Sequence, residues 1–256
     1  MSPWPVVLVH GARTSRSQWD LQLPGLRAAG HEVLTPDLPG HGTRRAEPFL
    51  LEAALAGIED ALATAPGQGP VHLVGSSLGG LLAIAVAGRR PARLGSLTAC
   101  GAAVRPSPLT ARLYAALIAA TDRLPGAGAD ADPRLLRLLL GADGSRAYLR
   151  GGRADLETVG SALRAVGPLD PLRDLHRTQA PVTFLHGRFD QLRLHERSLT
   201  AAAAHGRLVV LPYGTHLVNL TRPGRYTAEL LRVLASAEGA ARAEDPARAA
   251  RGSSAV

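Results

Sequence analysis

A serine flanked by glycines is the most distinctive chemical feature of the sequence. The segment Gly75-Ser76-Ser77-Leu78-Gly79 matches the pattern G-x-S-x-G, with Ser77 at its centre. An apolar run at 70–75 precedes Ser77 and an Ala/Leu-rich stretch at 77–89 follows, which predicts a sharp turn from a strand into a helix. Such a turn exposes the hydroxyl as a nucleophile and directs free N–H groups toward a developing negative charge. The alternative is a glycine-rich turn of a doubly wound sheet, without a catalytic role.

Two further residues could activate this serine, because a hydroxyl is a weak nucleophile until a base accepts its proton. A strand predicted at 181–186 leads to Asp190, and a strand predicted at 207–212 leads to His216. Both should reach the same edge of a parallel sheet as Ser77, and the order Ser, Asp, His fits a hydrolytic triad. Taken singly, Asp190 reads as a turn former and His216 as a solvated side chain. Their joint placement favours catalysis.

The turn after the first predicted strand could stabilise an oxyanion. That strand, at 5–9, runs into His10-Gly11-Ala12, so the N–H of Ala12 can pair with the N–H of Leu78 across an acyl oxygen. His10 is interpreted as a structural hydrogen-bonding residue of the turn rather than an acid or base. Arg13 follows directly and is a candidate contact for an anionic or carbonyl-rich part of the substrate, the alternative being a solvated position at the rim.

These residues need a scaffold, and the alternation of apolar runs with Ala/Leu-rich stretches predicts a parallel sheet wrapped by helices. Six strands are expected at 5–9, 31–35, 70–75, 94–100, 181–186 and 207–212. Helices are expected near 17–29, 46–64, 77–89, 191–204 and 222–236. The stretch 105–175 has helical patterns at 109–124 and 133–140 and no strand, so it is predicted to be a helical cap between two core segments, 1–104 and 176–236. The tail 237–256 shows no core pattern and is expected to be disordered.

Composition narrows the classes of function. The chain has 256 residues, 46% of them hydrophobic, and a formal net charge of +8. All 29 basic residues are arginines scattered along the chain, which argues against a nucleic-acid-binding stripe. No apolar run approaches the length that spans a bilayer, and Cys100 is the single cysteine. We therefore expect a cytoplasmic protein with a small-molecule substrate, without membrane or nucleic-acid partners, without a cofactor and without a metal ion.

The chain resembles the α/β-hydrolase superfamily. The resemblance rests on the elbow around Ser77 and on short segments at His10-Gly11, Trp19, 37–42, 186–190 and 214–216. It implies that Ser77 is the nucleophile, His216 the base and Asp190 the carboxylate that orients it. Ala12 and Leu78 would be the oxyanion donors. The family's leading β-hairpin is not recognisable here, so the expected fold is α/β with six strands in the order 2-1-3-4-5-6. An Asp nucleophile, as dehalogenases and epoxide hydrolases of this fold use, is excluded at position 77.

The predicted reaction is acyl transfer to water without a cofactor. An ester, a lactone, a thioester or a carbon–carbon bond next to a carbonyl would all pass through the same oxyanion. The Leu, Ala and Tyr content of the insertion favours a small to medium hydrophobic substrate, although these side chains could equally pack the cap itself. Two alternatives stay open: a lyase or cyclase that uses His216 as a general base, and a ligand receptor without turnover.

Overall fold

A parallel β-sheet forms the centre of the computed structural model, which describes residues 2–122 and 133–244. Every neighbouring pair of strands is parallel, and their spatial order is β2-β1-β3-β4-β5-β6. The predicted six-stranded sheet and its order are thereby confirmed. The strands are β1 (Val6–Val9), β2 (Val33–Leu34), β3 (Val71–Ser76), β4 (Leu94–Cys100), β5 (Val182–Gly187) and β6 (Gly206–Leu211).

Helices cover both faces of this sheet. Short 3-10 helices occupy Arg16–Trp19 and Gly42–Arg44. The α-helices in the described residues are α1 (Leu23–Ala28), α2 (Leu51–Thr64), α3 (Leu78–Gly88), α4 (Pro108–Asp122), α5 (Pro133–Arg150), α6 (Leu156–Val166), α7 (Pro171–Arg177), α8 (Glu196–Ala202), α9 (Val218–Thr221) and α10 (Pro223–Glu244). Within 2–122 and 133–244, none of these helices combines the length and apolarity needed to traverse a bilayer.

Burial on two sides explains why the strands read as apolar runs. All four residues of β1 are fully buried, as expected for a parallel strand with helices on both faces. One apolar cluster packs α2, α3, α6, α7 and α8 against one face. A second cluster packs α1, α9 and α10 against the other. Every residue of α3 is buried, so the helix that follows Ser77 is fixed in place by its whole surface.

The segment between β4 and β5 is helical in its described residues. Helix α4 packs against α6, α6 also contacts α3, and α5 contacts α9 and the 3-10 helix at Arg16–Trp19. Gly141 has φ 77° and ψ 170°, outside the helical region, so α5 consists of two helical segments that meet at a kink where the predicted helix at 133–140 ends. Helix α7 packs against α3 and α8 beside the sheet, although the predicted cap of 105–175 includes most of it. The glycine and proline cluster at 125–128 lies outside the described residues.

The C-terminal helix extends further than the sequence pattern suggested. The expected disordered tail begins at 237, but α10 continues to Glu244, so that expectation is wrong for 237–244. The physical reason is that Ala237 and Glu238 are buried against the start of the sheet, where Glu238 accepts a hydrogen bond of 2.8 Å from the backbone N–H of Trp4. The remainder of the predicted tail, 245–256, lies outside the described residues.

Candidate active site

Ser77 lies on the predicted turn between β3 and α3. Its backbone has φ 54° and ψ −116°, an uncommon conformation for a residue with a side chain. Its N–H donates to the carbonyl of Cys100 at 2.8 Å, and its own carbonyl accepts from Gly80 and Leu81 at the start of α3. The strained turn is therefore held by β4 on one side and by a buried helix on the other.

The two glycines of the pattern are required by close backbone packing. A Cβ on Gly79 would lie 2.5 Å from the carbonyl oxygens of both Val9 and His10. A Cβ on Gly75 would overlap the backbone of Gly79. Both distances are far below van der Waals contact, so side chains at these positions would force β3, α3 and the end of β1 apart.

His216 and Asp190 meet at the carboxyl ends of β5 and β6. Nδ1 of His216 and Oδ1 of Asp190 are 3.0 Å apart. Asp190 is buried, and its Oδ1 also accepts the N–H of Leu192 at 2.8 Å. Burial alone would raise the pKa of Asp190, but the hydrogen bonds from His216 and Leu192 outweigh it and lower the pKa. An ionised carboxylate thus holds Nδ1 of the imidazole and leaves Nε2 for another partner.

Ser77 and His216 line the same cavity. Within the described residues, no hydrogen bond joins the Ser77 hydroxyl to the imidazole. Hydrogen bonds between catalytic groups are often long in unliganded enzymes and shorten when substrate binds. The structure therefore brings the three predicted residues to one place and joins two of them directly.

Gly101 is a site residue that the sequence analysis missed. It has φ 57°, and a Cβ there would lie 2.8 Å from Nδ1 of His216 and 2.9 Å from Oδ2 of Asp190. Its N–H donates to Nδ1 of His186 at 3.1 Å. Burial lowers the pKa of His186 to about 4, so the ring is neutral and can accept that bond. Gly101 makes room for the His216–Asp190 pair, and His186 holds Gly101 in position.

The predicted oxyanion turn is built around Gln18, which no motif had indicated. Gln18 accepts the N–H of Gly11 at 2.8 Å through Oε1 and donates to Ser76 Oγ at 3.0 Å through Nε2. It thereby ties the turn after β1 to the residue before Ser77. Ala12 and Leu78 both line the cavity, and the N–H of Leu78, as the first residue of α3, has no intrahelical acceptor.

His10 has a structural environment, in line with its interpretation from sequence. Nε2 accepts the N–H of Leu38 at 3.0 Å, so the proton of the neutral ring is on Nδ1, which donates to the carbonyl of Gly11 at 2.8 Å. Burial and the neighbouring His41 lower the pKa of His10 to about 3. His10 therefore stays neutral and fixes the turn. His41 contacts the carbonyl of Ala12 at 2.9 Å and supports the next peptide.

The cavity itself has a volume of about 490 Å³ and is mainly apolar. Its apolar wall comes largely from the insertion and includes Ala111, Tyr114, Ile118, Leu163 and Val166. Arg13 lies on its wall and donates to the carbonyl of Ala154 at 3.3 Å, and its contact with a substrate stays a prediction. Arg105 is a second guanidinium on the same wall.

Cys100 is not a competing nucleophile. Its thiol is buried and accepts a hydrogen bond of 2.9 Å from the hydroxyl of Tyr226. Burial raises the pKa of Cys100 to about 12, so the thiolate does not form near neutral pH. Ser77, the predicted nucleophile, lines the cavity, whereas Cys100 does not.

Proteins with similar sequences include hydrolases. A pimeloyl-acyl-carrier-protein methyl ester esterase of Neisseria meningitidis is 39% identical over 93 residues, which cover 36% of this chain and 34% of that protein. RutD of Pseudomonas savastanoi, provisionally named a carbamate hydrolase, is 28% identical over 245 residues, covering 90% of this chain and 93% of its own. Several of the strongest curated matches extend over only 32–50% of the relative's length.

A solved structure and a family profile cover nearly all of the chain. A thermophilic esterase of Thermogutta terrifontis is similar with a TM-score of 0.71 and 25% identity, covering 92% of this chain and 91% of its own. The sequence profile described as the Alpha/beta hydrolase family matches residues 6–230. Since that match includes the sheet, the elbow and the His216 loop, the chain belongs to the Alpha/beta hydrolase family.

Proposed function

We propose that this protein is a serine hydrolase that cleaves a carboxylic ester, or a related acyl bond, of a small to medium hydrophobic substrate. The observation that carries the proposal is the 3.0 Å hydrogen bond between His216 and Asp190 beside the cavity that Ser77 also lines. A buried carboxylate that orients an imidazole next to a strained serine is the arrangement that acyl transfer requires.

The proposed first half-reaction forms an acyl-enzyme. Oγ of Ser77 attacks the carbonyl carbon while Nε2 of His216 takes up its proton, and Asp190 stabilises the imidazolium. The negative charge on the former carbonyl oxygen is held by the N–H groups of Ala12 and Leu78. The intermediate collapses when the carbon–oxygen bond of the ester breaks and His216 gives its proton to the departing alcohol.

The second half-reaction restores the enzyme. Nε2 of His216 removes a proton from water, the hydroxide attacks the acyl carbon, and a second oxyanion forms in the same place. Collapse releases the carboxylic acid and returns the proton to Ser77. Nucleophile, base and oxyanion donors all come from this chain, so the proposed reaction uses no cofactor.

The cavity supports the choice of substrate class. Its volume of about 490 Å³ lies within the range of sites that enclose drug-sized molecules. The apolar wall suits the acyl part of an ester, while Arg13 and Arg105 suit a carbonyl or carboxylate elsewhere in the substrate. The names of the two esterases and of RutD describe hydrolysis at an ester or carbamate carbonyl, which agrees with this class.

Covalent labelling tests the proposal. A fluorophosphonate should label the protein once, at Ser77, and p-nitrophenyl esters of increasing acyl length should be hydrolysed. Ser77→Ala should abolish the labelling and lower kcat by about 10⁴-fold or more. Ser198→Ala is the matched control, because Ser198 is exposed on α8 and should leave both unchanged. Labelling that persists in Ser77→Ala, or a natural protein that is neither labelled nor active on esters, would contradict the proposal.

A further inference from the structure

A second cluster of ionisable side chains lies at the amino-terminal ends of the strands, opposite the candidate active site. His72 is the second residue of β3, His31 precedes β2, and Glu238 lies on α10. His72 and Ser77 are five residues apart along an extended strand, which corresponds to about 16 Å. The cluster is therefore separate from the candidate active site, and nothing in the proposed reaction uses it.

The potential ligand atoms of these three residues converge. One nitrogen of each histidine and one carboxylate oxygen all lie within 4.8 Å of one another, and all three residues are buried. Nε2 of His72 and Oε1 of Glu238 are 3.3 Å apart. Bonds of about 2.0–2.1 Å in a tetrahedral zinc site separate the ligand atoms by about 3.3–3.5 Å. One pair already has this spacing, and the His31 ring would have to move by up to about 1.5 Å to complete the set.

Nε2 of His72 and Oε1 of Glu238 are hydrogen-bonded to each other, so a bound cation would replace that bond while the outer contacts of the cluster hold the rings in place. Nδ1 of His31 lies 2.8 Å from the carbonyl of Trp4, which can only accept, so the proton of the neutral ring is on Nδ1 and Nε2 has a lone pair. Nδ1 of His72 lies 2.7 Å from the hydroxyl of Ser96, which can accept as well as donate, so the ring can carry its proton on Nδ1 and offer Nε2 to a cation. Such contacts on the other ring nitrogen orient metal-binding histidines.

The carboxylate is oriented in the same way. Arg242 donates to Oε2 of Glu238 at 2.7 Å, which leaves Oε1 toward His72. Oε1 also accepts the N–H of Trp4 at 2.8 Å, and a carboxylate oxygen has a second lone pair that can bind a cation.

We propose that His31, His72 and Glu238 form a binding site for a divalent cation of the zinc type. Two imidazoles and one carboxylate are a donor set that zinc accepts, whereas magnesium and calcium prefer oxygen ligands alone. A cavity of about 550 Å³ is lined by Glu238, Glu32 and Arg242 but not by the two histidines, so a cation would approach the cluster from the Glu238 side, past the Arg242 guanidinium. The bound ion would join β3, the chain before β2 and α10, and so stabilise the fold rather than the reaction.

Thermal unfolding with added cations tests the site. The full chain, without a histidine tag and treated with a chelator, is titrated with Zn²⁺, with Co²⁺ and with Mg²⁺ as the oxygen-preferring comparison. Zn²⁺ at about a hundredfold its Kd should raise Tm by about 5 °C or more, and calorimetry should give one ion per chain. Co²⁺ should develop the visible absorption of a nitrogen- and oxygen-coordinated ion, and Mg²⁺ should change nothing.

Matched variants locate the binding. Glu238→Gln removes the carboxylate charge and His31→Asn removes the ring nitrogen that would bind the ion, with side chains of similar size, and each should abolish the increase in Tm and the Co²⁺ spectrum. His205→Asn, at an exposed histidine, and His216→Asn, in the candidate active site, should retain both. Absence of any Zn²⁺ effect in the natural chain, or an effect that survives in Glu238→Gln and His31→Asn, would overturn the proposal. So would a Zn²⁺ effect that disappears in His205→Asn or in His216→Asn.

Discussion

A hydrogen-bonded pair of a histidine and a carboxylate lies at each end of the parallel strands, that is, at the carboxyl edge and at the amino edge of the sheet. At the carboxyl edge, His216 and Asp190 are 3.0 Å apart, and the imidazole remains 14% exposed beside an apolar cavity. At the amino edge, His72 and Glu238 are 3.3 Å apart, and the imidazole is completely buried. The two pairs use the same side-chain chemistry in different surroundings.

The difference lies in the second ring nitrogen. In His216, Nδ1 is bound to Asp190, and Nε2 is left for the cavity that Ser77 lines. In His72, Nδ1 is bound to Ser96 and Nε2 to Glu238, so both nitrogens already have partners within the fold. A histidine–carboxylate pair therefore indicates a proton-transfer site only when the remaining nitrogen reaches a cavity. Otherwise it serves to hold segments of the chain together.

The largest expected effect comes from removing the proton acceptor at the carboxyl edge. His216→Asn should lower kcat for an ester substrate by about 10⁴-fold, because Ser77 then has no base. The variant should unfold near the natural Tm, since the amide of asparagine can still donate to Asp190 in place of Nδ1. His205→Asn is the control and should retain full activity. An active His216→Asn protein would show that the pair at this edge is structural, like the pair at the other.

A methyl group placed behind the His216–Asp190 pair should have the next largest effect. Gly101→Ala would bring a Cβ within 2.9 Å of both side chains, so kcat should fall by about 10²-fold as the imidazole is displaced. Gly67→Ala is a matched control, because Gly67 has a similar φ of 74° with open space around it. The control should lose about 1 kcal/mol of unfolding free energy from backbone strain and no activity. Equal losses of activity in both variants would show that strain, and not displacement of the pair, is responsible.

The three predicted catalytic residues at the carboxyl edge could be found from the sequence for a physical reason. Ser77, Asp190 and His216 each follow a strand, and the carboxyl ends of parallel strands meet at one edge. The strands could also be predicted, since a strand that is buried on both faces contains few polar residues. The local sequence pattern was therefore sufficient to predict those site residues whose placement depends only on the strand that precedes them.

Other features depend on contacts between distant segments, which a local pattern does not contain. Gly101 is recognisable only when His216 lies against it, and Gln18 only when Gly11 and Ser76 are on either side of it. The end of α10 was missed because its amino acids are small and polar, and its position depends on Glu238 reaching His72 across 166 residues of sequence.

The pH dependence of stability should come from histidines that are buried as neutral rings. His186 has a pKa of about 4 in the folded chain against 6.5 when exposed, because burial disfavours its charged form. Between those values the unfolded chain binds more protons, so this contribution is complete above pH 6.5 and is lost as the pH falls to about 4. The loss is about 3 kcal/mol for a shift of this size.

His186→Asn tests that assignment, because the amide can still accept the N–H of Gly101 but cannot titrate. Urea unfolding measured from pH 7 to pH 4 should show a shallower decline in the variant. His10 has a pKa of about 3 in the folded chain, so it too gains a proton on unfolding in this pH range, and the decline should be reduced and not abolished. An unchanged slope would mean that His186 is not the group that takes up the proton.

The smallest expected effect is on the free energy of unfolding when Glu238, at the amino edge, is substituted and no metal ion is present. Glu238→Gln removes the charge that binds His72 and Arg242, and the free energy of unfolding should fall by about 1–2 kcal/mol, because the bonds are buried and charge-assisted. Glu229→Gln removes a carboxylate of the same helix whose partner Arg232 is 71% exposed, and should cost less than about 0.5 kcal/mol. Urea denaturation with a chelator present measures both. Equal losses would mean that burial adds nothing at Glu238, and the amino-edge pair would then be no more than a surface contact.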